Sequence, residues 1–279
     1  MTDYRFRIVN VFAESPLAGN PLCVFEDARG LDDATMQALA LQFNLSETTF
    51  LLPSEVADAR VRIFTPTFEM PFAGHPTLGS AHVAREVLRR GDRLTLEMRA
   101  GRIPVTADGD RWTLEAQAPK HRPPEVSAGA LADMLGLAPD DLGPGAPLWV
   151  DTGSEQLIIP LRTFDAVRRT APRADALLKH GSNGTRAMAY VFARENDHVL
   201  CRFFFPKHGA VIEDPGTGSA CANLGGGLLA TSAGLPQQLH VDQGEAVGRP
   251  CRLGLEVTAD RRIRVSGRVI EVARGTFRL

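Results

Sequence analysis

Long apolar runs are missing from this chain: none approaches the roughly 20 residues that span a bilayer, so no membrane-spanning helix is expected. The N-terminal MTDYRFRIVNVF lacks the basic stretch followed by an apolar one that marks a secretory signal, and a cytoplasmic address is the expectation. Cysteine is scarce. Cys23, Cys201, Cys221 and Cys251 stand singly, with no C-x-x-C pair, which argues against structural zinc and against a disulfide framework. The 7 histidines are dispersed, with no H-E-x-x-H or comparable spacing, so no metal site is expected. The GxGxxG and GxxxxGK[ST] phosphate loops are both absent. The run Gly225-Gly226-Gly227 falls inside a helical pattern, where it reads as close packing. An excess of one charge is lacking too. A formal net charge of -2 gives no electrostatic reason to expect nucleic acid or an anionic membrane as partner.

What remains is an ordinary globular composition, 44% hydrophobic and 23% charged, over 279 residues, enough for one large or two medium domains. One pattern occurs twice. Arg62–Ala81, RIFTPTFEMPFAGHPTLGSA, and Arg202–Ala220, RFFFPKHGAVIEDPGTGSA, each run from Arg through a β-prone aromatic stretch and Pro to a Gly/Pro/Thr turn ending in Gly-Ser-Ala. The Arg–Pro blocks are offset by 140 positions and the Gly-Ser-Ala blocks by 139. A period of half the chain is too long for a solenoid. It predicts two related domains, each a strand, a turn and a helix whose open N-terminus can hold an anion.

Taken in order, residues 4–12 and 22–25 read as strands, and Asp32 or Asp33 caps a helix to about Phe43. Thr48–Leu52 is strand-like, with Glu47 at the junction before it, and 60–66 forms the first repeat's strand. A helix is expected over Thr77–Arg90, then strands near 93–98, 102–107 and 111–116, and a Pro-rich linker over 118–124. The second half predicts helices near 127–135, 163–169, 172–179 and 219–233. Its strands are expected near 148–151, 156–161, 187–193, 199–205, 238–241, 252–258 and 262–273. The domains implied are 1–118 and 119–265, with a strand at about 266–279 returning to the first. Many strands with one central helix per half suggest an α+β architecture.

The first repeat carries Gly74-His75-Pro76-Thr77 at its turn and the second Asp214-Pro215-Gly216-Thr217-Gly218-Ser219, so each places a titratable side chain, His75 or Asp214, ahead of a helix start. Alone, His75 reads as a satisfied turn histidine, Asp214 as an Asp-Pro turn, Ser219 as a cap and Glu47 as a solvated turn residue. Together they match what moving a proton between carbons requires. That chemistry needs a base, an acid and donors for the enolate-like charge.

AGNPLCVF (18–25), NLSETTFL (44–51), RIFTPTFEMPFAGHPTLGSAH (62–82) and EDPGTGSACANLGG (213–226) resemble, in order and spacing, the signature segments of the PhzF-like, or phenazine-biosynthesis-like, family. The resemblance covers essentially the whole chain. It implies the diaminopimelate-epimerase-like fold: two similar domains, each a barrel-like, mostly antiparallel sheet wrapped around a central helix, with the active site between them. It also implies a cofactor-free isomerase, a homodimer, and a small carboxylate-bearing substrate. By the same likeness Glu47 is the proton-shuttling general acid/base. His75, Asp214 and Ser219 are its other polar catalytic groups, and Gly74, Pro76, Thr77, Thr217 and Gly218 surround the substrate.

Two alternatives stand beside that reading. A two-base amino-acid racemase or epimerase would use Cys221, although the chain has no partner thiol in the first repeat. A non-catalytic dimeric small-molecule binding protein would keep the fold and lose the chemistry.

Overall fold

The computed structural model describes residues 1–231 and 234–279. Two units separate: Met1–Glu115 with Ser266–Leu279, and Ala116–Val265.

The first unit is a closed barrel. Its strands are β1 (Asp3–Val11), β2 (Asn20–Phe25), β3 (Glu47–Leu52), β4 (Ala59–Phe64), a short return strand β5 (Glu69–Met70), β6 (Arg93–Met98), β7 (Gly101–Asp108) and β8 (Arg111–Glu115). The helices are α1 (Asp33–Phe43) and α2 (Gly74–Val87). Pairing runs β1–β2–β3–β4–β6–β7–β8, and the last strand of the chain, β17 (Ile263–Arg278), bonds both β8 and β1 to close the ring. Within this unit the pairs β2–β3 and β4–β6 are parallel. α2 threads the middle, touching β1, β2, β3, β4, β6 and β8. It can do so because its first half is small. A Cβ built on Gly79 would lie 2.6 Å from Leu22 Cδ2 and 3.0 Å from a Val11 methyl. α1 covers the outside, capped by Asp32, whose carboxylate accepts from Thr35 N at 2.8 Å. Asn44 ends it in the left-handed region at φ 51°. Beneath it Phe25, Phe50 and Phe64 pack with Met36 and Leu39.

The second unit repeats this strand order around a central helix, with two short helices where the first has α1. Preceded by β9 (Lys120–Arg122) and α3 (Ala128–Met134), it runs β10 (Leu148–Asp151), β11 (Gln156–Pro160), α4 (Phe164–Arg169), α5 (Ala174–His180), β12 (Ala189–Glu195), β13 (His198–Lys207), β14 (Ala210–Asp214), α6 (Gly218–Ala230), β15 (Gln237–Gln243) and β16 (Cys251–Val257), then the start of β17. Its parallel pairs, β11–β12 and β13–β15, fall where β2–β3 and β4–β6 fall in the first unit. α6 packs on β9, β10, β11 and β16. The architecture is therefore α+β with two similar domains, each a mostly antiparallel barrel-like sheet around a central helix. The segment 118–124, expected as a linker, instead carries β9, which pairs with Trp149–Asp151. The expected end of the last helix, residues 232 and 233, lies outside the described residues.

The duplication reaches single side chains. Arg62 lies over the Phe64 ring and forks onto Glu69 across the β4–β5 hairpin, with both bonds at 2.8 Å. Arg202 lies over Phe204 and forks onto Glu213 across β13–β14, at 2.6 Å for the shortest bond. The first pair is seven residues apart in sequence and the second eleven. The longer second hairpin moves the repeat offset from 140 at the arginines to 144 at the glutamates, and α2 and α6 begin 144 apart. The Gly-Ser-Ala match at offset 139 is thus out of register. The counterpart of His75 is Ser219, the second residue of its helix, and not Asp214.

Candidate active site

α2 starts at Gly74, three residues before the position expected. Pro76 sits in its first turn, where a backbone N–H has no helical partner and its absence costs nothing. His75 is consequently inside the helix tip, with 5% of its surface exposed. Its Nδ1 lies 3.3 Å from Asn20 Nδ2. Its Nε2 lies 3.4 Å from Oε2 of Glu47, the first residue of β3. Burial, only partly opposed by a bond to the Pro21 backbone, lowers the imidazole pKa to about 3. The contact is therefore a carboxyl group beside a neutral imidazole rather than an ion pair, slightly longer than the roughly 2.6–3.2 Å reach of direct proton transfer. Gly19, at φ 80°, shapes the loop before Asn20. A Cβ there would sit 2.7 Å from the Val11 carbonyl oxygen, so only glycine fits.

The remaining residues of the first turn contribute unequally. Thr77 is fully buried, and both its N–H and its hydroxyl bond the Ala73 carbonyl, at 3.2 and 2.7 Å. Pro76 has no N–H. The open donors of this tip are those of Gly74 and His75, since the N-cap residue Ala73 offers no side-chain bond.

In the second unit Asp214 ends β14, and its carboxylate accepts from the Thr217 hydroxyl. Gln243, at the end of β15, clamps the turn. Its Oε1 accepts from Thr217 N at 3.1 Å, and its Nε2 donates to the Asp214 carbonyl at 2.8 Å and to Thr217 Oγ1 at 2.9 Å. Thr217 is thus occupied by the turn itself, and the uncapped donors of α6 belong to Gly218 and Ser219. Ser219 is not a cap. It sits second in the helix, and its Oγ accepts from Gln156 Nε2 at 3.0 Å.

Cys221 faces inward and is wholly buried. Burial pushes its thiol pKa far up, away from the thiolate that a two-base racemase needs. Cys201 and Cys251 are buried likewise, as is Cys23. Sequence reasoning missed Asn20, Gln156, Asn223 and Gln243, which hold the candidate groups. Their one signal was an amide set among apolar residues, as in ACANLGG and QLIIP.

The profile of the phenazine biosynthesis-like protein family, PhzC-PhzF, matches residues 9–275. The chain belongs to this family. An uncharacterized isomerase of Pasteurella multocida is 40% identical, with 99% of this chain and 94% of that protein covered. The trans-2,3-dihydro-3-hydroxyanthranilate isomerase of Pseudomonas aeruginosa is 37% identical over 90% of this chain and 89% of that protein. A crystal structure of the Bacillus anthracis phenazine biosynthesis protein, PhzF family, superposes with a TM-score of 0.89 at 27% identity, covering all of both chains. The fold of this PhzF-family chain is the diaminopimelate-epimerase-like one, and the protein is an enzyme of the isomerase class.

Proposed function

We propose that this PhzF-family protein moves a proton within a small carboxylate-bearing metabolite and that Glu47 carries it. The observation behind this reading is the Glu47 carboxyl set 3.4 Å from the Nε2 of a buried, neutral His75. A carboxylate there takes a proton from one carbon of the substrate, holds it as the acid, and returns it to another position, ending ionised as it began. The neutral imidazole presents at Nε2 either a donor or an acceptor, as its tautomer fixes, and so keeps the carboxyl oriented. The uncapped N–H groups of Gly74 and His75 and of Gly218 and Ser219 suit a carboxylate and the enolate-like charge formed when the proton leaves. In this proposal the Glu47–His75 pair moves the proton without a cofactor. The relative's substrate, trans-2,3-dihydro-3-hydroxyanthranilate, is the first compound to try.

Glu47→Gln keeps the size of the side chain and removes its basicity. In deuterium oxide, with that compound or any small carboxylate whose exchange the wild type catalyses, deuterium uptake should fall by about 10²–10⁴-fold, the usual weight of general acid–base catalysis. Nuclear magnetic resonance follows the label. Exchange at the wild-type rate in the variant would remove Glu47 from the role.

A further inference from the structure

The hydroxyl of Ser219 ends a chain of buried amides whose orientation is set by the backbone. Asn223 Oδ1 lies 2.9 Å from Thr152 N, a group that can only donate, and Asn223 Nδ2 lies 2.8 Å from the Ser154 carbonyl, which can only accept. The Asn223 amide therefore has one possible direction. Its Nδ2 also donates to Gln156, at 2.8 Å, so the Gln156 atom there is Oε1, and Nε2 is the end that faces Ser219. Ser219 Oγ must then accept from Gln156, and its own proton points elsewhere. Among the described residues no acceptor takes it, and Ser219 is partly exposed while Gln156 and Asn223 are buried.

The fold does not require this chain. The first unit builds the same place without it. By the strand pairings Gln156 of β11 occupies the position of Leu22 in β2, and Asn223 and Gly79 are each the sixth residue of their central helix. Where the first barrel sets a leucine against a glycine, the second sets two amides, each of which costs free energy to bury unless fully bonded. Asn223 makes four such bonds, and Gln156 one at each end, of which the Nε2 bond faces Ser219.

We propose that Gln156 and Asn223 are positioning residues that tie back the Ser219 oxygen and direct its proton at a carboxylate or carbonyl oxygen of the bound substrate. The inference rests on reading the α6 tip as part of the substrate site. It assigns Ser219 the part of fixed donor rather than base. A serine oxygen already accepting one hydrogen bond and aimed outward through its proton stabilises negative charge on the ligand and cannot at the same moment receive the proton in transit.

Neutron diffraction on the deuterium-exchanged full chain tests the orientation without a ligand. Deuterons on Gln156 Nε2 should point at Ser219 Oγ, and the Ser219 deuteron should point away from Gln156. A Ser219 deuteron lying on Gln156 would overturn the proposal. The ligand half is tested by fluorescence titration with anthranilate, an aromatic amino acid bearing one carboxylate. Ser219→Ala should weaken binding roughly tenfold or more, as for a hydrogen bond to a charged group. Gln156→Glu still accepts from Asn223 but has no hydrogen to give, so the serine proton turns inward. It should weaken binding in the wild-type background and by a clearly smaller factor when Ser219→Ala is also present. Equal factors in the two backgrounds would mean that charge repulsion alone acts, and would overturn the proposal, as would unchanged affinity in Ser219→Ala. If wild type fails to bind anthranilate while the deuterons lie as expected, the carboxylate reading and the ligand half fall together and the serine orientation stands as a separate result.

Discussion

The imidazole of His75 is charged only in the unfolded chain over most of the acid range, because its buried place beside Asn20 and Glu47 holds the folded-state pKa near 3 against an ordinary 6.5. Above pH 6.5 neither state binds the proton and the group leaves stability unchanged. Between 6.5 and about 3 the unfolded state takes it up and the folded state does not, so this residue alone lowers stability by about 1.4 kcal/mol per pH unit as the pH falls. Urea unfolding of wild type and His75→Asn across pH 4–7 should show the variant declining less steeply toward acid. Parallel curves would mean that the ring titrates normally in the fold. The sequence marked Glu47 as a carboxylate between apolar segments and His75 as a titratable group ahead of a helix start, and the fold sets the two 3.4 Å apart. Gln156, Asn223 and Gln243 were not legible there, because each is defined by partners 26 to 71 residues away that only strand pairing brings to it.

At the scale of elements, one arginine ties three pieces of the first barrel together. Arg7 of β1 is buried, with Nε donating to Glu26 at 2.6 Å and Nη1 to Glu86 near the end of α2 at 2.6 Å and to Glu271 of β17 at 2.9 Å. Burial alone would lower its pKa, but bonds to the three carboxylates more than offset that and keep it charged. Arg7→Leu removes the one buried cation of the cluster, leaving the carboxylates only the exposed Arg5 and Arg274, and should cost about 3 kcal/mol, the lower end of the penalty for breaking a buried pair from one side. Chemical denaturation would measure it, and a loss below about 1 kcal/mol, the size of a surface pair, would show that the cluster is solvated. Most strands and the α1 cap could be read from alternation and capping chemistry. The register of the repeat could not. Gly-Ser-Ala is the strongest literal match between the halves, yet the extra residues of the β13–β14 hairpin shift it away from its apparent twin. The paired Arg62–Glu69 and Arg202–Glu213 bridges and the two helix starts reveal the true alignment.

Across the whole molecule the two barrels are made from the same parts list but are not equally self-sufficient. Residues 116–265 form the second unit in one continuous stretch, whereas the first needs residues 266–279 to complete its ring. β17 bonds β1 from Asp3 to Val11 and also bonds β8, so a chain ending at residue 265 leaves both of those strands with an open edge. Such a truncation should expose 1–115 to limited proteolysis while 116–265 resists, and amide exchange should be fast in β1 and β8. Equal protection of both units would show that the closing strand is dispensable.

That closing strand also sets a timetable on the ribosome. Residues 1–115, carrying Glu47 and His75, must wait as an unsealed sheet until residues 266–279 have left the exit tunnel, while residues 116–265 can close before them. A nascent chain stalled before residue 266 emerges would present a complete second barrel tethered to an unfinished first.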